Sequence, residues 1–136
     1  MDRLRSFLES LQGSFLAGEL DELLMYFTLP VVIYSVAGVT VLRDEAEFLH
    51  TARQYHAALV AKAVASSVIE IIERDHAVHN RSRVTVRIVD MDCRGNRVTT
   101  SLIRYYLIHT ETSYRVEMLE YLEAPLSSDE IERIIH

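Results

Sequence analysis

The chain has 136 residues, 49% of them hydrophobic and 25% charged, the size and balance of one ordinary globular domain. A formal net charge of −6 argues against a general nucleic-acid binder, whose phosphate contacts need an excess of Lys and Arg. The single Cys93 excludes an intramolecular disulfide and any metal site built from cysteines alone. The longest apolar runs, residues 29–36 and 57–61, fall far short of the roughly 20 residues that cross a bilayer. The first residues carry no apolar signal-peptide core, so the expectation is a cytoplasmic protein with a reduced thiol and no membrane partner.

Helical periodicity comes first. Leu4, Phe7, Leu8, Leu11, Phe15 and Leu16 recur at three and four and make one apolar stripe. Gly13 and Gly18 weaken its end, and Asp21 is placed to cap a short second helix through Leu24 and Phe27. Pro30 forces Leu29 to be extended, and Val31-Val32-Ile33-Tyr34 is a strand. Ala37-Gly38 turns it into a second strand at Val39–Leu42.

Asp44 followed three residues later by Glu47 marks the start of a long helix, through a variant of the capping box. Leu49, Ala52, His56, Leu59 and Ala63 are expected along its inner face. From Ser66 the period changes to two, predicting strands over 67–74, 77–92, 97–109 and 114–123. Hairpin turns at 94–96 and 110–113 join the last three, and Ser127 with Glu130 caps a final helix over about 128–135. Helices followed by a long-stranded antiparallel sheet make the class α+β, in one domain spanning 1–136 with its core at about 1–124.

This order resembles the nuclear transport factor 2-like superfamily over nearly the whole chain, Met1 to about Ala124. The segments that carry it are Tyr26-Phe27-Thr28-Leu29-Pro30-Val31-Val32-Ile33-Tyr34 and, after it, Asp44-Glu45-Ala46-Glu47-Phe48-Leu49. The resemblance implies a curved sheet wrapped around the N-terminal helices, a cone with a central pocket, and pairing of two copies through the sheet's outer face. The superfamily includes ketosteroid isomerase, scytalone dehydratase, limonene epoxide hydrolase, polyketide cyclases and non-enzymatic binding proteins. Alignment with ketosteroid isomerase puts Tyr34 near that enzyme's base and Tyr105 near its protonated Asp. Neither is a carboxylate, which argues against that mechanism here.

Centring each hairpin on its turn sorts the sheet into two faces. Val84, Val86, Ile88, Ile103, Tyr105, Leu107, Val116, Met118, Glu120 and Leu122 are expected to face the helices. Arg87, Arg104, Tyr106 and Tyr121 fall on the opposite face, where their chemistry suits a homodimer contact. Glu120, a carboxylate on an apolar face, and His56 on the long helix are the candidate proton-transfer groups. Tyr34, Tyr105 and Met118 are the candidate pocket residues, with either phenol able to orient a substrate oxygen. A one-residue strand slip would turn Glu120 outward.

Other patterns carry less. His76 and His79, three apart on an expected strand, leave opposite faces and suit one metal poorly. The run from Asp90 to Gly95 starts like a calcium loop, but Arg94 stands where an oxygen ligand is needed. No phosphate loop, cofactor motif or metal motif is visible. The expected function is binding of a small, largely apolar molecule, with cofactor-free proton transfer of the isomerase, dehydratase or cyclase type as its chemistry. The alternative is a non-catalytic binding or dimerisation module that engages another protein.

Overall fold

The computed structural model describes residues 2–124, so the helix expected over 128–135 lies outside the described residues. Helix α1 (Arg3–Leu16) starts at Asp2, whose Oδ1 accepts from the Leu4 amide at 3.0 Å, and short α2 (Leu20–Leu24) follows. Strands β1 (Phe27–Ser35) and β2 (Gly38–Leu42) form a hairpin that leads into α3 (Glu45–Ala61). Asp44 caps α3 by accepting from the Glu47 amide at 2.9 Å, and Glu47 Oε2 accepts in return from the Arg43 amide at 3.2 Å. Strands β3 (Ser66–Arg74), β4 (Arg81–Met91), β5 (Arg97–His109) and β6 (Tyr114–Glu123) complete the chain.

The sheet has six strands in the order β2-β1-β6-β5-β4-β3. All neighbours are antiparallel except β1 and β6, which run parallel and bring the first hairpin beside the last strand. Every one of these ladders but the β1–β2 hairpin contains a register shift, and such bulges add bend and twist to the sheet. Buried side chains of α1, α2 and α3 join those of the sheet's inner face in one main core that includes Leu8, Leu23, Phe48, Val86 and Leu107.

Several local expectations change. Strand β4 begins at Arg81 rather than Ala77, because Val78 and Arg81 bridge across a tight turn. His79 and Asn80 adopt left-handed backbone in that turn, with φ of 51° and 63°. The buried stripe of α3 is Phe48, Thr51, Ala52, Tyr55 and Leu59, rotated from the expected one. Both stripes satisfy a 3.6-residue period, and the two aromatic side chains decide which one is buried.

The third change matters most for function. The β5–β6 hairpin keeps the register set by its turn as far as Leu107 opposite Val116. Glu117 is then extra: Tyr106 lies opposite Met118, the pairs as far as Ile103 with Tyr121 are displaced by one, and a second shift sets Leu102 opposite Glu123. Val116, Leu119 and Tyr121 therefore face the helices, and Met118 and Glu120 do not. The β4–β5 hairpin is also displaced from the centred register, but by two, so its alternation is unchanged and Val84, Val86, Ile103 and Tyr105 stay inside.

Candidate functional site

A cavity of about 100 Å³ lies between α1, α3 and the inner face of the sheet. Its wall is mostly apolar, with Leu11, Val31, Ile33, Ala52 and Ile103 among the lining side chains. The polar groups converge from different elements: Gln12 from α1, Tyr55 from α3, Asp90 from β4, Ser101 and Tyr105 from β5, and Tyr121 from β6.

Asp90 is the centre of this set. It is only 2% exposed, and Ser67 Oγ on β3 donates to its Oδ1 at 2.6 Å. Gln12 Nε2 in turn donates to Ser67 Oγ at 3.2 Å, which links helix, edge strand and carboxyl in one relay. Burial pushes the Asp90 carboxyl above its ordinary value, and the Ser67 bond offsets only part of that. Among the described residues no Lys, Arg or His lines the cavity, so none of them sets a cation beside the carboxyl.

Three phenols share the cavity with it. Burial pushes Tyr55 up to about 12, and its Oη is buried without a hydrogen-bond partner among the described residues. Tyr105 and Tyr121 are also raised by burial, and the charge of Asp90 adds to the effect on both. All three phenols are thus neutral dipoles at physiological pH. Tyr55 and Tyr121 lie with their rings nearly parallel, centroids 6.0 Å apart.

Of the residues singled out from the sequence, the structure brings Tyr105 into the cavity and adds Tyr121, which had been assigned to the outer face. Glu120 corrects the main expectation. The Glu117 bulge turns it outward, where its Oε1 accepts from Arg104 Nη1 and from Tyr106 Oη, each at 3.4 Å. Met118 is turned outward by the same shift. Tyr34 is 41% exposed, because its neighbour Ile33 takes the inward position on β1.

His56 stands beside the cavity wall rather than in it. Its Nε2 lies 3.2 Å from the Leu16 carbonyl oxygen and its ring meets Phe15 edge-on. Gly18, at φ 74°, sits beneath the ring, and a Cβ there would stand 3.1 Å from His56 Cε1. The imidazole thus fastens the end of α1 to α3. Arg87, Arg104 and Tyr106 are on the outer face as expected, where Arg87 pairs with Glu70 at 3.2 Å and Arg104 Nε donates to Thr85 Oγ1 at 3.3 Å.

Asp90 was legible and was missed. Val84, Val86 and Ile88 alternate on the inner face, and two residues further the same alternation reaches Asp90. Its neighbours Asp92 and Gly95 drew it into a loop pattern instead. Asp92 does the loop's work, accepting from the Arg94 and Asn96 amides at 2.9 Å each. Ser67 and Gln12 give no sequence signal, since their role depends on β3 lying beside β4 and beneath α1.

No family model matches the chain, and no curated protein does. Solved structures do. A nuclear transport factor 2-like protein of unknown function from Shewanella oneidensis superposes with a TM-score of 0.66 at 11% identity, over 88% of this chain and 96% of that one. The chain has the nuclear transport factor 2-like fold. A nuclear transport factor 2-like protein with a cystatin-like fold from Novosphingobium aromaticivorans gives 0.60 at 15% identity, over 94% of this chain and 88% of that one. A ketosteroid isomerase-like protein from Erwinia carotovora atroseptica gives 0.56 at 11% identity, over 90% and 95%. At these identities the likeness concerns the nuclear transport factor 2-like fold alone, and the chemistry must be argued from this chain's own cavity.

Proposed function

We propose that this chain is a small-molecule-binding domain whose ligand occupies the cavity between the helices and the sheet. The observation that carries the reading is Asp90, a buried carboxyl at an apolar cavity wall with neutral phenols in the same cavity. A cavity of about 100 Å³ suits a compact ligand of about four or five heavy atoms, since an engineered cavity of about 150 Å³ takes up benzene, which has six. Cofactor-free proton transfer, of the isomerase, dehydratase or cyclase type, is the second reading. It is favoured by the upward shift of Asp90, which moves a carboxyl toward the range useful to a general acid or base, with Tyr105 available to hold an oxygen.

The test is to fill the space. Ala52 lines the cavity from α3, and Ala52→Leu should occupy much of it at a cost of about 1–3 kcal/mol in stability. Compact alcohols, ketones and amines are expected to shift the NMR signals of cavity residues in the wild type and not in this variant. Equal shifts in both proteins would place ligand binding elsewhere.

We also propose that the outer face of the sheet is a homodimer contact. The support is its mixed surface, where Tyr34, Val41, Val68 and Leu122 are all at least 36% exposed beside Arg87 and Arg104. Arg104→Glu would set two like charges side by side with Glu120 and repel the partner's face. Light scattering should find a dimer for the wild type and a dissociation constant raised about tenfold or more for the variant. A wild-type monomer at high concentration would remove the proposal.

A further inference from the structure

Among the described residues the cavity pairs one buried acid with an aromatic wall and has no basic side chain. Phe15, Phe27 and Phe48 line it together with Tyr55, Tyr105 and Tyr121. The π-face of such rings carries negative potential and attracts cations, more strongly where water is excluded. Asp90 accepts one hydrogen bond, from Ser67, although a carboxylate can accept about four. Tyr55 Oη adds a buried oxygen with no partner among the described residues.

From this arrangement, and resting on the reading of the cavity as a ligand site, we propose that the ligand is a small aliphatic amine, bound as its ammonium ion against Asp90. An ammonium supplies what the described residues of the cavity lack: a positive charge for the carboxylate and N–H donors for its free lone pairs. Its hydrocarbon part meets the aliphatic side chains of Leu11, Val31 and Ile103. A neutral alcohol of the same shape would leave Asp90 either protonated or uncompensated, and a carboxylic acid would bring a second negative charge. The relay from Gln12 through Ser67 holds the carboxyl in place; these two are positioning residues.

The experiment uses three probes of matched size: isobutylamine, isobutanol and isobutyrate, each titrated near neutral pH and followed by NMR. The amine is expected to bind the wild type at least about tenfold more tightly than the alcohol, as a charge-assisted hydrogen bond predicts, and isobutyrate is expected not to bind. In Asp90→Asn the preference for the amine should disappear while isobutanol still binds. Equal affinity for amine and alcohol in the wild type would overturn the amine proposal and leave the cavity reading standing. An amine preference that persists in Asp90→Asn would overturn it too, because the charge would be read elsewhere. If none of the probes disturbs the cavity signals, both readings fall. The wild-type comparison decides alone should the variant not fold.

Discussion

Asp90→Asn is expected to melt at a higher temperature than the wild type at pH 8 and close to it at pH 4. The cause is the burial of a carboxyl that has, among the described residues, one hydrogen-bond donor and no cation beside it. The direction follows from linkage. Burial raises the folded-state value above the ordinary 3.8, so between the two the folded protein holds a proton that the unfolded chain has released. Stability contributed by this group is therefore complete below the unfolded value and is lost as pH rises through the folded one. Asparagine keeps the shape, can accept from Ser67 through its carbonyl, and carries no charge to desolvate. A buried charged group short of partners costs on the order of 1–3 kcal/mol, or roughly 3–10 °C for a domain of this size. The difference between the two melting curves, scanned from pH 4 to pH 8, isolates Asp90 from the other titrating groups. Parallel curves would show that the carboxyl is well solvated or paired.

Leu119→Glu and Glu120→Gln make the second test, because adjacent positions are expected to respond in opposite ways. Leu119 is 7% exposed and faces the cavity, so a carboxylate there loses apolar burial and gains no partner. Losing about 1.5–3 kcal/mol of burial and adding several for the unpaired charge puts the cost at about 4 kcal/mol or more, a drop of more than about 10 °C. Glu120 on the outer face loses only a partly exposed pair with Arg104 and should change stability by about 1 kcal/mol or less. A reversed order would mean that Glu117 is not the extra residue and that β6 runs in the register its turn alone implies.

How far the sequence could be read follows from the same strand. Element order came from local rules: the apolar stripe of α1, the Asp44 and Glu47 cap, and the change of period at Ser66. These act over a few residues and are written in the chain. The inward alternation of β4 and β5 was also legible, since a displacement by two preserves it. The outward turn of Glu120 was not, because a bulge is decided by how two strands and the helices above them fit together, and Glu117 carries no local mark of it. On α3, two equally periodic stripes competed, and burial of the one with Phe48 and Tyr55 left His56 half-buried against the end of α1. Asp90 was hidden differently: its inward position was readable from the alternation of Val84, Val86 and Ile88, but with Asp92 and Gly95 it also matched the start of a calcium loop.

The extra residue in β6 also separates two properties that an ordinary strand ties together. Val116 and Leu119 both face inward, and deleting Glu117 would leave Val116 opposite Leu107 and Met118 opposite Tyr106 in an unbroken ladder. The side chains presented to the cavity would stay the same, while the sheet would lose one source of its bend. Curvature at this point is therefore adjustable by a single residue without rewriting the lining, so the volume of the chamber and the identity of its walls can vary independently.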